Sequence, residues 1–153
     1  DRRHGRPKPG LVAKVMRLHA DEPGQVADVA ARIFRLISGP HYDEATVRAV
    51  AEQAVARHFD EAGTARQLMA ILASPDRTPD LRRLDVPTLV IHGLLDPLVR
   101  PSGGVATARA ISGSRLLMFP DMGHDLPRER WDEIVDAITQ NARRGGFRDP
   151  APR

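Results

Sequence analysis

The chain has 153 residues, 41% of them apolar, with 23 Lys and Arg set against 20 Asp and Glu for a formal net charge of +3. That is enough for one ordinary domain with its own core. Cysteine is absent, which excludes disulfides, thiolate zinc sites and a cysteine nucleophile. The charges are interspersed. Only the ends are locally basic, with Arg2, Arg3, Arg6 and Lys8 at one and Arg143, Arg144, Arg148 and Arg153 at the other. No basic stripe with interleaved aromatics appears, so a nucleic-acid partner is not expected. No apolar run reaches the roughly 18–20 residues of a membrane span, and no signal peptide opens the chain. A cytoplasmic location is the resulting expectation. The first residue is Asp1, which reads as a cut or processed start.

In chain order, residues 1–9 read as a basic, flexible segment. Residues 10–74 read as helical throughout. Leu11, Val15, Leu18 and His19 keep helical spacing, as do Val26, Val29, Ala30, Ile33, Phe34 and Ile37, until Ser38, Gly39 and Pro40 stop them. Asp43 is placed to cap a helix whose stripe is Val47, Val50, Ala51, Ala54 and Val55. Gly63 and Thr64 open a further run with Leu68, Met69, Ile71 and Leu72.

The period changes after the linker Ser74–Pro79. Residues 75–144 read strand, helix, strand, helix. The strands are Pro87–Gly93 and Arg115–Phe119, both short, apolar and bounded by turn formers, as buried parallel strands are. The helices run over Ser102–Ile111, with Ser102 as its cap, and Trp131–Arg143. Residues 145–153 read as a flexible tail. Two parallel strands and two helices cannot bury both faces of a sheet, so this half predicts the edge of a larger one.

The chemistry sits after the strands. Gly93-Leu-Leu-Asp96-Pro97 follows the first, and Pro120-Asp-Met-Gly-His124 the second. Parallel neighbours place both loops at the carboxyl edge of the sheet, where open α/β sheets build sites. Asp96 and His124 would meet there as the acid and imidazole of a Ser-His-Asp relay. Met122, beside the histidine, is a candidate substrate contact. Asp121 and Asp125 read as turn and cap residues, and His92 as a structural strand-end histidine. His4, His19, His41 and His58 show no metal-ligand spacing, and no cofactor is expected.

Residues 81–143, through Leu84-Asp-Val-Pro-Thr-Leu-Val-Ile-His-Gly-Leu-Leu-Asp96 and Arg115-Leu-Leu-Met-Phe-Pro-Asp-Met-Gly-His124, resemble the last two strands of an α/β-hydrolase. Residues 11–73 resemble, less specifically, the helical cap of bacterial esterases of the aclacinomycin methylesterase type. The resemblance implies an α/β fold, here a cap followed by a βαβα unit, and a serine hydrolase acting on a small carboxylic ester, with Asp96 as triad acid and His124 as base. The chain departs from the family in having no Gly-x-Ser-x-Gly around any of Ser38, Ser74, Ser102, Ser112 or Ser114, and no oxyanion segment. Leu94 and Leu95 stand where family members often carry polar residues. The expectation is a C-terminal fragment whose partner is the N-terminal half, with a homodimer left open. The rival expectation is a non-catalytic module that binds a partner through its helical half.

Overall fold

The computed structural model describes residues 3–60 and 62–146. Arg2, Arg148, Arg153 and most of the expected C-terminal tail lie outside the described residues.

Among the described residues, six α-helices and two strands follow a first short helix: α1 (Leu11–Met16), α2 (Val26–Ile37), α3 (Glu44–Arg57), α4 (Gly63–Ala73), α5 (Thr78–Leu81), β1 (Leu89–Gly93), α6 (Ser102–Ala110), β2 (Arg115–Phe119) and α7 (Trp131–Arg144). Helix α1 is shorter than its apolar spacing predicts. The Leu18 amide bonds to Val15 O at 3.0 Å, a tightened last turn, and His19 falls beyond it. The four-residue α5 begins in the last two residues of the segment read as linker and runs past it. Its first turn is prepared by Asp76, whose Oδ1 accepts from the Thr78 amide and hydroxyl at 3.0 and 2.6 Å.

Helices α2 and α3 pack on each other and form the centre of the helical half. The Tyr42 hydroxyl, between them, donates to Ala31 O at 2.8 Å. Asp43 caps α3 as its sequence position predicts, accepting from the Ala45 and Thr46 amides at 3.0 and 3.2 Å. Arg48 of α3 holds Asp28 of α2 at 2.6 Å and Glu44 at 3.0 Å.

Strands β1 and β2 pair in parallel from Leu89↔Arg115 to Gly93↔Phe119. The crossover is α6. Side chains alternate across the sheet. His92 lies against α6, where a Cβ on Gly104 would come within 2.8 Å of its ring. On the other face Ile91 and Leu117 pack against a cluster of Phe119, Met122 and, from α7, Ile134. One helix therefore covers each face of a two-stranded sheet. The cover is thin: Leu89, Val90 and Ile91 are only half-buried, and Leu116 is exposed.

Two local expectations change. Ser102 does not cap α6; the helix begins at that residue without a side-chain cap, and its hydroxyl accepts from the Gly5 amide at 3.0 Å. The N-terminal segment, expected to be a loose solvated end, is bound to the core where it is described. Lys8 N donates to Pro97 O at 2.8 Å, and Arg100 Nε donates to Arg6 O at 2.6 Å.

Candidate active site

Parallel pairing brings the two post-strand loops side by side. Leu94 N donates to Phe119 O at 2.9 Å and Leu95 N to Met122 O at 3.0 Å, so backbone bonds fasten the second loop to the first. Gly93 permits this approach, because a Cβ there would lie 2.1 Å from Met122 O. Gly123 does the same toward the helical half. Its Cβ would fall 2.5 Å from Ile37 O and 2.6 Å from Gly39 N, at the exit of α2. The His124 amide then donates to Ile37 O at 2.8 Å, and the Gly39 amide donates to Asp125 Oδ1 at 3.3 Å.

The loops deliver Asp96 to His124. Asp96 Oδ2 lies 2.7 Å from His124 Nδ1. Asp96 is 5% exposed, and its other oxygen accepts from the Leu98 and Val99 amides at 2.8 Å each. Burial opposes charge on this carboxyl. The His124 hydrogen bond and the two amides outweigh burial and hold its pKa below the usual carboxylate range. An ionised carboxylate only accepts, so Nδ1 carries the proton and Nε2 presents its lone pair. The same hydrogen bond raises the His124 pKa against the opposing effect of burial. Among the described residues Nε2 has no hydrogen-bond partner, and the ring is 40% exposed. This is an imidazole held in one tautomer, with its basic nitrogen left to accept a proton.

His92 stands near the pair, its Nε2 3.8 Å from Asp96 Oδ2. That nitrogen is bonded to Val99 O at 2.7 Å, so His92 braces the loop that holds the acid. Met122, expected to face substrate, is 3% exposed and packs with Phe119 and Ile134. Its side chain fills the space between β2 and α7 and does not face the site.

Asp121 is more than the turn residue its neighbours suggest. It accepts from Arg130 Nη2 at 2.7 Å and Nε at 3.1 Å, and from His41 Nε2 at 2.7 Å. The Arg130 guanidinium, and then His41, hold its carboxyl far below the usual carboxylate range. His41 lies just past α2, and Arg130 just before α7. Sequence spacing carries no signal of this group: His41 and Asp121 are 80 positions apart, and neither belongs to a periodic stripe.

Beside the histidine loop, a cleft of about 450 Å³ opens between α2, α3 and residues 125–131. Its walls include Phe34, Val47, Leu126 and Trp131, but neither Asp96 nor His124. A second hollow of about 820 Å³ lies along β1, walled by Val90, His92, Ile71 and Leu72 among others.

No protein-family model matches the chain. Its sequence is 31% identical over 114 residues to the non-heme haloperoxidase of Rhodococcus erythropolis, spanning 70% of this chain and 39% of that protein. The fold superposes on the enol-lactonase of Burkholderia xenovorans LB400 with a TM-score of 0.64 and 27% identity, over 87% of this chain and 50% of that one. It superposes on a thermophilic esterase from Thermogutta terrifontis with a TM-score of 0.60 and 26% identity, over 94% and 54%. The chain spans about half the length of these solved structures and less of the curated relative. A parallel strand pair with its loops at one edge, below a helical half, and these likenesses place the chain in the α/β-hydrolase superfamily, as the C-terminal portion of that fold.

Proposed function

We propose that this chain supplies the acid and base of a Ser-His-Asp relay in a hydrolase acting on a small carboxylic ester. The observation that carries the reading is the 2.7 Å contact between His124 Nδ1 and a buried Asp96 whose second oxygen is fixed by two amides. In such a relay His124 Nε2 takes the proton of a serine hydroxyl as that oxygen attacks the ester carbonyl. The imidazolium formed is stabilised by Asp96, and it then returns the proton to the departing alkoxide. Serine and oxyanion donors come, on this reading, from an N-terminal half that pairs with the open edge of β1 and covers the hollow beside it. The half-buried strand residues and exposed Leu94 and Leu95 support that placement. The apolar walls of the cleft between α2 and α3 suit the hydrocarbon part of an ester.

The test uses the enzyme containing this chain joined to its N-terminal half. His124→Ala should cost on the order of 10³-fold or more in kcat for p-nitrophenyl esters. Turnover retained in that variant would end the proposal.

A partner-binding reading has one observation in its favour: Met69, Ile71 and Leu72 of α4 are each about 60% exposed. It predicts capture of a partner that is lost on making these residues polar, with His124→Ala having no effect.

A further inference from the structure

We propose that Asp121 is a positioning residue for His124, with His41 as its partner from the helical half. The inference rests on the hydrolase reading above and adds to it a group that does not touch the reacting atoms. Asp121 sits three positions before His124, at the base of the loop that carries the imidazole. The upper part of that loop is fixed by backbone, through Leu95 N to Met122 O and His124 N to Ile37 O. Its base follows the strand end, where Leu94 N bonds to Phe119 O, and is held there by side chains as well. Arg130 grips Asp121 through Nε and Nη2 together, and His41 closes on the same carboxylate from the opposite element.

An exposed ion pair would contribute little. Here all three side chains are only 25–27% exposed, the arginine contact is forked, and the guanidinium lies 5.4 Å from the centre of the Phe119 ring. Asp121 joins the helical half, the end of β2 and the start of α7 through side chains, in addition to the backbone bond from His124 N to Ile37 O. His41 is thereby given a reason to sit where it does, a few residues past the carbonyl that receives the His124 amide. The consequence is that helical half and histidine loop move as one piece. A base displaced by about 1 Å can lose 10²-fold in rate, so the knot acts on catalysis through placement.

The experiment compares Asp121→Asn, His41→Leu and His41→Gln in the enzyme containing this chain, with His124→Ala alongside. Glutamine can still donate to Asp121; leucine cannot. Asp121→Asn and His41→Leu should each lower kcat by about 10- to 100-fold with KM nearly unchanged, and should shift or broaden the low-field Nδ1 proton resonance of His124. His41→Gln should restore most of the rate and the resonance. Full turnover and an unmoved resonance in both Asp121→Asn and His41→Leu, while His124→Ala is inactive, would overturn the positioning role and leave the hydrolase reading standing. An active His124→Ala would remove the reading itself. If Asp121→Asn does not fold, the leucine and glutamine pair at position 41 decides: equal loss in both overturns the proposal.

Discussion

Asp96 raises the basicity of His124, and the sign of the effect can be followed through pH. His124 has a folded pKa above its unfolded one. The stabilisation from its charged form is therefore fully present below the unfolded value, about 6.5, and is lost as pH rises through the folded value. Asp96 has a depressed pKa, so its contribution is present above the unfolded carboxylate value and disappears as pH falls through the folded one. The pair stabilises the fold most between these limits, in mildly acidic solution. Asp96→Asn should bring the His124 pKa down, as read from the titration of its ring Cε1 proton by NMR. A pKa that stays raised would assign the shift to another group. Both residues were legible in the sequence because each follows a strand end within a run of turn formers, and parallel pairing does the rest. His41 and Arg130 were not, since their meeting with Asp121 depends on how the helical half settles on the sheet.

At the scale of elements, apolar spacing locates α2, α3 and α7, each of which buries at least one stripe residue, Ile37, Ala51 and Ile134, while Val50, Val135 and Ile138 stay exposed. It overran α1, whose last turn tightens and ends at Met16, and it passed over α5, which is too short to show a period. The strands were located but their environment was not. Leu89–Ile91 reads as fully buried sequence and is half-exposed here. The junction between elements yields a sharp prediction at Gly123. A methyl group there meets backbone at 2.5 Å on Ile37 and Ser38, atoms that cannot rotate aside. Gly123→Ala should destabilise the fold by about 1–3 kcal/mol, measured by urea denaturation. Gly24→Ala, at a site with nothing within 4 Å of the new carbon, serves as the comparison and should be near neutral. Equal stability of the two variants would refute the close approach of loop and helix.

For the whole molecule, the number of large apolar side chains left exposed is the informative property. Val86, Leu94, Leu95, Leu116, Val135 and Ile138 are between 38% and 60% exposed, on and around a parallel strand pair of a kind normally buried on both faces. On the proposed reading this chain by itself should show no serine-dependent ester turnover, since it offers no acyl acceptor, and serine-directed inhibitors should leave it unlabelled. Addition of the N-terminal half should slow amide exchange in β1 and create inhibitor-sensitive activity. Exchange in β1 that is already slow in the isolated chain, and unchanged by the addition, would mean the open edge is not a joint. The strap formed by residues 5–8 also bears on how such a two-piece enzyme could be built. It lies on Pro97, Arg100 and Ser102, within the stretch whose amides hold Asp96. A split-protein reporter made from this fold would therefore need its break placed before His4. A break after Lys8 would leave the acid's loop without its brace, and reassembly would restore the sheet but not the signal.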